Sequence, residues 1–195
     1  MRGQTVMSNK KGRLFIISAP SGTGKSTVIN YMISKHENLV LSVSATTRAP
    51  RAGEVNGVAY YFVTREDFTA MVERGEFLEH AEYIGEFYGT PKQPIYECID
   101  SGKDILLEIE VQGARQVMEK ERDAVSIFIV PPDMDELERR LRGRGTDTEE
   151  KLAARLVRAA REMEEKDRYS HIVVNDTVER AAKEIMAIID NTGKE

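Results

Sequence analysis

Two groups of residues in this chain have the types and spacing to handle phosphate. The first, Ala19-Pro-Ser-Gly-Thr-Gly-Lys25-Ser26, fits a phosphate-binding loop. Gly22 and Gly24 let backbone amides turn inward, Lys25 reaches outer phosphates, and Ser26 can ligate magnesium. The first position of the pattern is Ala19 instead of glycine, a strained substitution if that position needs positive φ. The second group lies in TTRAPRAGEVNGVAYYF, residues 46–62, where Arg48 and Arg51 stand three apart beside tyrosines. A guanidinium fork meets phosphate oxygens in pairs and phenol hydroxyls donate to those left over. One loop for a nucleoside triphosphate and a separate cationic cluster for another phosphorylated molecule is the layout of a small-molecule kinase. Read without that context, Arg48 is a solvated charge and Tyr60 an outward strand residue.

Other residues could assist. Glu108 and Glu110 are two apart at the end of an apolar strand and so face one side; Glu108 with Ser26 could hold magnesium, partly through water, and either carboxylate could instead be a structural partner. Arg139, Arg140, Arg142 and Arg144 crowd Gly143 and Gly145, with Arg155 on the next helix, which suggests a mobile cover. For Arg139 and Arg142 the attraction of cations to a helix C-terminus is an equal explanation. His36, His80 and His171 lack metal-ligand spacing and read as structural.

The elements that must position these groups alternate between strand and helix. Apolar runs at 13–18, 39–44, 104–109, 125–130 and 171–174 read as strands, with a short one at 59–63. Helices are expected over 25–36, from Thr64 and Asp67 to Gly75, from Pro91 to Gly102, over 134–142 with Asp133 as cap, over 148–168 and over 178–190. Residues 76–90 and 111–124 carry no assigned element. The run Asp104–Ile109 is apolar enough to be buried on both faces at the sheet centre. The fold class is therefore α/β, a P-loop NTPase-like, mainly parallel sheet with helices on both faces, plus an α+β insertion and a short lid. The core would comprise 13–45, 103–141 and 169–190, the insertion about 46–100 and the lid about 142–157. Residues 1–12 are expected to form a disordered tail, with Met7 as an alternative start.

Composition narrows the function classes. The 195 residues, 41% hydrophobic, suffice for one packed domain. A formal net charge of −5 argues against general nucleic-acid binding. The single Cys98 permits no intrachain disulfide, and no apolar run approaches the ~20 residues needed to span a bilayer. The expectation is a cytoplasmic protein with no membrane partner and an oligomeric state that the sequence leaves open.

With the phosphate loop, the 46–62 segment and the later RLRGRGTDTEE in that order, residues 13–190 closely resemble the guanylate kinases, enzymes that phosphorylate GMP with ATP. The match in the middle segment falls on Thr47, Arg48, Arg51, Glu54, Gly57, Tyr60 and Phe62. The resemblance implies ATP at Ala19, Pro20, Ser21, Gly22, Thr23, Gly24, Lys25, Ser26 and Thr27, with Asn175 and neighbouring Asp176 near the adenine, although VNDT also reads as a turn. It implies GMP (or dGMP) phosphate at Arg48, Arg51, Tyr60 and Tyr88, and guanine at Ser44, Glu79, Thr90 and Glu110, where many relatives carry aspartate. Lys25, Arg48, Arg140, Arg144 and Arg155 would be catalytic, with Mg2+ accompanying ATP. Taken alone, Glu79 in EFLEHAEY is an ordinary surface glutamate. Two other readings stay open at this point: a different nucleoside monophosphate kinase, and a guanylate-kinase-like interaction module that has lost catalysis.

Overall fold

A computed structural model describes residues 11–83, 85–143 and 148–193. Its elements are β1 (Leu14–Ser18), α1 (Lys25–Ile33), β2 (Leu39–Leu41), β3 (Ala45–Thr46), β4 (Tyr61–Phe62), α2 (Arg65–Glu73), β5 (Phe77–Tyr83), β6 (Glu86–Pro91), α3 (Lys92–Asp100), β7 (Asp104–Glu108), α4 (Val111–Lys120), β8 (Val125–Val130), α5 (Met134–Arg142), α6 (Glu149–Met163), a 3-10 turn (Lys166–Arg168), β9 (His171–Val174) and α7 (Val178–Asn191). The expected tail lies almost wholly outside the described residues, as do 144–147 of the expected lid.

The larger sheet has the order β2-β7-β1-β8-β9 with every pairing parallel. The central strand is β1, and β7 is its neighbour, a correction to the expectation that 104–109 would occupy the centre. Both strands are buried on both faces, as their unbroken apolar runs require. One face of the sheet packs Phe15, Ile17 and Ile127 against α1 and α7; the other packs Ile16, Leu107 and Phe128 against α3 and α4. The loop after β1 thus emerges at the carboxyl ends of the strands, where open α/β sheets take ligands.

The smaller sheet, β4-β3-β6-β5, is mixed: β3 runs parallel to β4, while β6 is antiparallel to both β3 and β5. Phe68 of α2 stacks on Phe77 and Phe87 beneath it, with ring centroids at 4.6 and 5.5 Å. Strand 39–44 was expected to be continuous; it ends at Leu41, and the chain enters the second sheet at Ala45. The hairpin β5–β6 and helix α4 have no counterpart in the sequence pattern. α4 opens at Glu110 without a side-chain cap and carries a glycine in its first turn, and β6 contains Gly89 and Pro91, all of which mask periodicity. By contrast, Thr64 and Asp133 cap α2 and α5 through the amides of Asp67 and Glu136 at 3.0 and 2.7 Å. The long helix ends at Met163, five residues before the expected stop.

Arg13 closes the base of the large sheet. Its amide and Nε donate to Asp104 Oδ1 at 2.9 and 3.1 Å, Nη2 to Oδ2 at 2.5 Å, and Nη1 to the Thr192 carbonyl. Asp104 is buried, so removing it strands a partly buried guanidinium. Asp104→Ala is expected to lower unfolding free energy by about 2 kcal/mol in urea titration without changing the slope.

Candidate active site

The phosphate loop owes its shape to two glycines, to the close approach of Asn175 and Leu141, and to a turn of its own. Gly22 and Gly24 have φ of 95° and 92°, a region that favours glycine. A Cβ on Gly24 would also lie 2.8 Å from the Asn175 amide nitrogen, and one on Gly22 2.6 Å from Leu141. Thr23 folds back on Pro20, its amide and hydroxyl both donating to that carbonyl at 3.2 and 2.8 Å. α1 begins at Lys25 with no acidic residue in its first turn, leaving the positive helix end for an anion.

Around the loop lies a cleft of about 880 Å³. Lys25, Ser26, Ser44, Tyr60, Glu79, Tyr88, Glu108 and Glu110 all line it. Lys25 Nζ donates to the Ile109 carbonyl at 3.2 Å and stands 4.0 and 3.8 Å from Glu108 and Glu110. Glu110, although beyond the end of β7, therefore does share a side with Glu108. The Ser26 hydroxyl donates to Glu108 Oε1 at 2.6 Å.

At the far end, Glu79 is only 5% exposed and Thr90 fully buried. They face each other across the β5–β6 pairing, and the Thr90 hydroxyl donates to Glu79 Oε1 at 2.6 Å. Burial pushes the Glu79 carboxyl above its ordinary range, opposed by Thr90 and Lys120. α4 fixes this arrangement by gripping the backbone of edge strand β5 on either side of Glu79. Gln116 accepts from the His80 amide at 3.3 Å and donates to its carbonyl at 2.9 Å, while Lys120 donates to the Leu78 carbonyl at 2.6 Å. The same grip covers an edge that would otherwise be open to pairing. Gly113 of α4 makes room for the carboxylate, since a Cβ there would be 2.5 Å from Glu79 Oε2.

Tyr60 and Tyr88 meet edge to face with centroids 6.1 Å apart. Burial raises the Tyr60 phenol, keeping it a proton donor at neutral pH. Arg48 lies over Tyr60 and Phe62 at 5.4 and 5.7 Å, and its Nη2 donates to Glu54 at 2.9 Å. Glu54 also accepts from the Arg51 amide at 2.7 Å. Glu54 thus orders the loop carrying both arginines, and those contacts hold its carboxyl below the usual range.

The arginines of the expected cover divide. Arg155 Nη2 donates to Ser21 Oγ of the phosphate loop at 2.9 Å. Arg140 is directed to backbone: Nη1 donates to the Thr23 carbonyl at 3.1 Å and Nη2 to the Asn175 carbonyl at 2.9 Å, with Nε on Glu136. Asn175 likewise donates its amide to Thr23 at 2.7 Å, and Asp176 accepts from Arg180 at 2.6 Å. Arg139 and Arg142 pair with glutamates of their own surface, Glu136 and Glu138. Arg144 lies outside the described residues.

Sequence reasoning overlooked Gly113, Gln116 and Lys120, and also Arg158 and Glu162 on α6. Arg158 reaches Glu110 at 3.0 Å and Glu162 accepts from the Ser21 amide at 3.3 Å. Their one sequence signal is spacing: Arg155, Arg158 and Glu162 recur at three and four residues, a single helix face.

Known proteins show the same overall pattern. A family model described as guanylate kinase matches residues 11–192. A guanylate kinase of Halalkalibacterium halodurans is 51% identical over 94% of this chain and 90% of its own. One from Clostridium perfringens is 47% identical over 94% and 85%, respectively. The crystal structure of guanylate kinase from Anaplasma phagocytophilum superposes with a TM-score of 0.77 at 40% identity, covering 95% of this chain and 88% of that one. With a family model over residues 11–192 and relatives about half identical over most of both chains, the chain belongs to the guanylate kinase family, whose members phosphorylate GMP with ATP.

Proposed function

We propose that the guanylate kinase reaction of this chain, transfer of the ATP γ-phosphoryl group to GMP or dGMP, is divided between the two ends of the cleft. The observation that carries this reading is Glu79, buried with Thr90 at one end while Lys25 and Ser26 occupy the other. A buried carboxylate can accept from both the ring N–H and the exocyclic amino group of guanine, whereas adenine would present a ring acceptor to it. Ser44 and Glu110 line the same cleft, and we assign them to the guanine as well. Tyr60 and Tyr88, with Arg48 and Arg51, hold the GMP phosphate, so residues of about 46–100 form the acceptor-binding insertion.

The loop 19–27 wraps the ATP phosphates, with Lys25 on the outer oxygens and Arg155 arriving from α6, part of the proposed lid at about 142–157. Arg140 and Asn175 support the loop through the Thr23 carbonyl. Ser26 and Glu108 are hard oxygen donors already facing each other, which suits Mg2+, an ion that keeps several waters and few protein ligands. When bound with ATP, magnesium would neutralise charge on the transferring phosphate oxygens. The GMP phosphate, with a second pKa of about 6, is already a nucleophile at neutral pH and needs no protein base. The protein's contribution is to align two polyanions and offset their repulsion.

Among the described residues no helix is long and apolar enough to cross a membrane, and we place the enzyme with the cytoplasmic purine nucleotide pool. A coupled assay of ADP formation tests the reading: turnover with GMP and dGMP, and negligible turnover with AMP, CMP and dTMP. Strong AMP turnover would overturn the role of Glu79.

A further inference from the structure

One arginine on α6 joins three parts of the molecule that the proposed division of labour treats separately. Arg158 Nε donates to Glu162 Oε1 at 2.7 Å within its own helix, and Nη2 donates to Glu110 Oε2 at 3.0 Å, 48 residues away in sequence. Its guanidinium also lies over the Tyr83 ring at 4.8 Å. The local pair with Glu162 is of a kind worth little by itself. The other two contacts are not local: one is to Glu110 beside the phosphate loop and the other to Tyr83 on the smaller sheet. Tyr83 follows Glu79 by four residues on β5, so the two side chains share a face of that strand. Glu110 presents one oxygen to Lys25 at 3.8 Å and the other to Arg158. This carboxylate stands between a cation of the phosphate loop and a cation of α6, and which of them it leans toward sets where it points.

We propose that Arg158 is a positioning residue for GMP: it shares Glu110 with Lys25, so that this carboxylate is not drawn wholly onto the phosphate loop, and through Tyr83 it docks α6 onto the sheet that carries Glu79. The inference rests on the reading that guanine lies between Glu79 and Glu110. Without Arg158, Lys25 is the cation that remains beside Glu110 among the described residues, and the carboxylate turns to it. The acceptor then loses an aligned polar group, and α6 loses its contact with β5. The ATP side keeps the loop, Ser26 and Arg155.

Isothermal titration with GMP alone and with ATP–magnesium alone, on wild type, Arg158→Ala, Glu110→Ala and the double variant, tests the proposal. Arg158→Ala is expected to weaken GMP about tenfold and ATP by a clearly smaller factor, and to cause a much smaller further loss of GMP affinity once Glu110 is alanine, only the Tyr83 contact then remaining to be lost. An unchanged GMP affinity, or the same loss with and without Glu110, overturns it. Arg158→Lys keeps a cation and an apolar stem but cannot span both carboxylates; it is subject to the same comparison should the alanine variant fold poorly. A wild-type chain with no GMP affinity overturns the reading beneath the proposal, a result distinct from either.

Discussion

Lys25→Ala is expected to reduce kcat for ADP formation by at least about 1,000-fold, or roughly 4 kcal/mol of transition-state stabilisation, while GMP affinity measured by titration stays within about threefold of wild type. The separation follows from geometry. Lys25 Nζ sits at the loop end of the cleft, on the Ile109 carbonyl and beside Glu108 and Glu110, whereas Glu79, Thr90, Tyr60 and Tyr88 belong to the smaller sheet or the loop leading into it. A lysine in this position contributes most when charge moves onto the transferring phosphoryl oxygens, so its removal should fall on kcat. It also leaves two carboxylates facing each other with one cation fewer, which disfavours the approach of ATP. Some rise in the ATP KM is therefore part of the expectation. Parallel loss of turnover and of GMP binding would mean that the two ends of the cleft are not separate sites.

How far the sequence discloses this arrangement depends on whether each feature is local. The phosphate loop is legible because a strand, two glycines and a helix are adjacent in the chain and each constrains the next. The caps Thr64 and Asp133 are legible for the same reason, as each bonds an amide three residues away. Glu79 is not. Its burial is produced by α4, more than 30 residues later, whose Gln116 and Lys120 hold the backbone on either side of it. No period in FLEHAEY encodes that, and only the family resemblance pointed to the residue. Arg140 is a different case: its charge and position suggest a phosphate ligand, and the sequence gives no sign that three of its four donor contacts are to the backbone carbonyls of Thr23, Asn175 and Asp176. Which acceptor an arginine finds is decided by how α5 meets the loops after β1 and β9, a matter of packing.

Glu79→Gln should collapse the choice of base with little effect on the donor site. Glutamine preserves the shape and can still accept from the Thr90 hydroxyl, but replaces one acceptor by a donor that faces a guanine N–H. We expect kcat/KM for GMP to fall at least about 100-fold and the GMP:AMP ratio to fall with it, since an amide matches the donor and acceptor pair of adenine. Stability should move the opposite way. The folded-state pKa of Glu79 is raised above its ordinary 4.5 by burial, so the stability of the neutral carboxyl is complete below that value and is lost as pH rises through the folded pKa. The ligand-free glutamine variant should therefore melt above wild type at neutral pH, with the gap closing as pH approaches 4.5. Gly113→Ala probes the same carboxylate from the other side. In most helices this exchange stabilises by about 1 kcal/mol; here the new methyl group would lie 2.5 Å from Oε2 and 2.9 Å from the carboxyl carbon. Neither side can retreat, because α4 and β5 are bound together at Leu78 and His80. The carboxylate must turn from its present position, and if it binds guanine as proposed the GMP KM should rise about tenfold while the ATP KM holds. A Gly113→Ala enzyme with wild-type GMP kinetics, or a Glu79→Gln enzyme with a wild-type GMP:AMP ratio, would remove Glu79 from base selection.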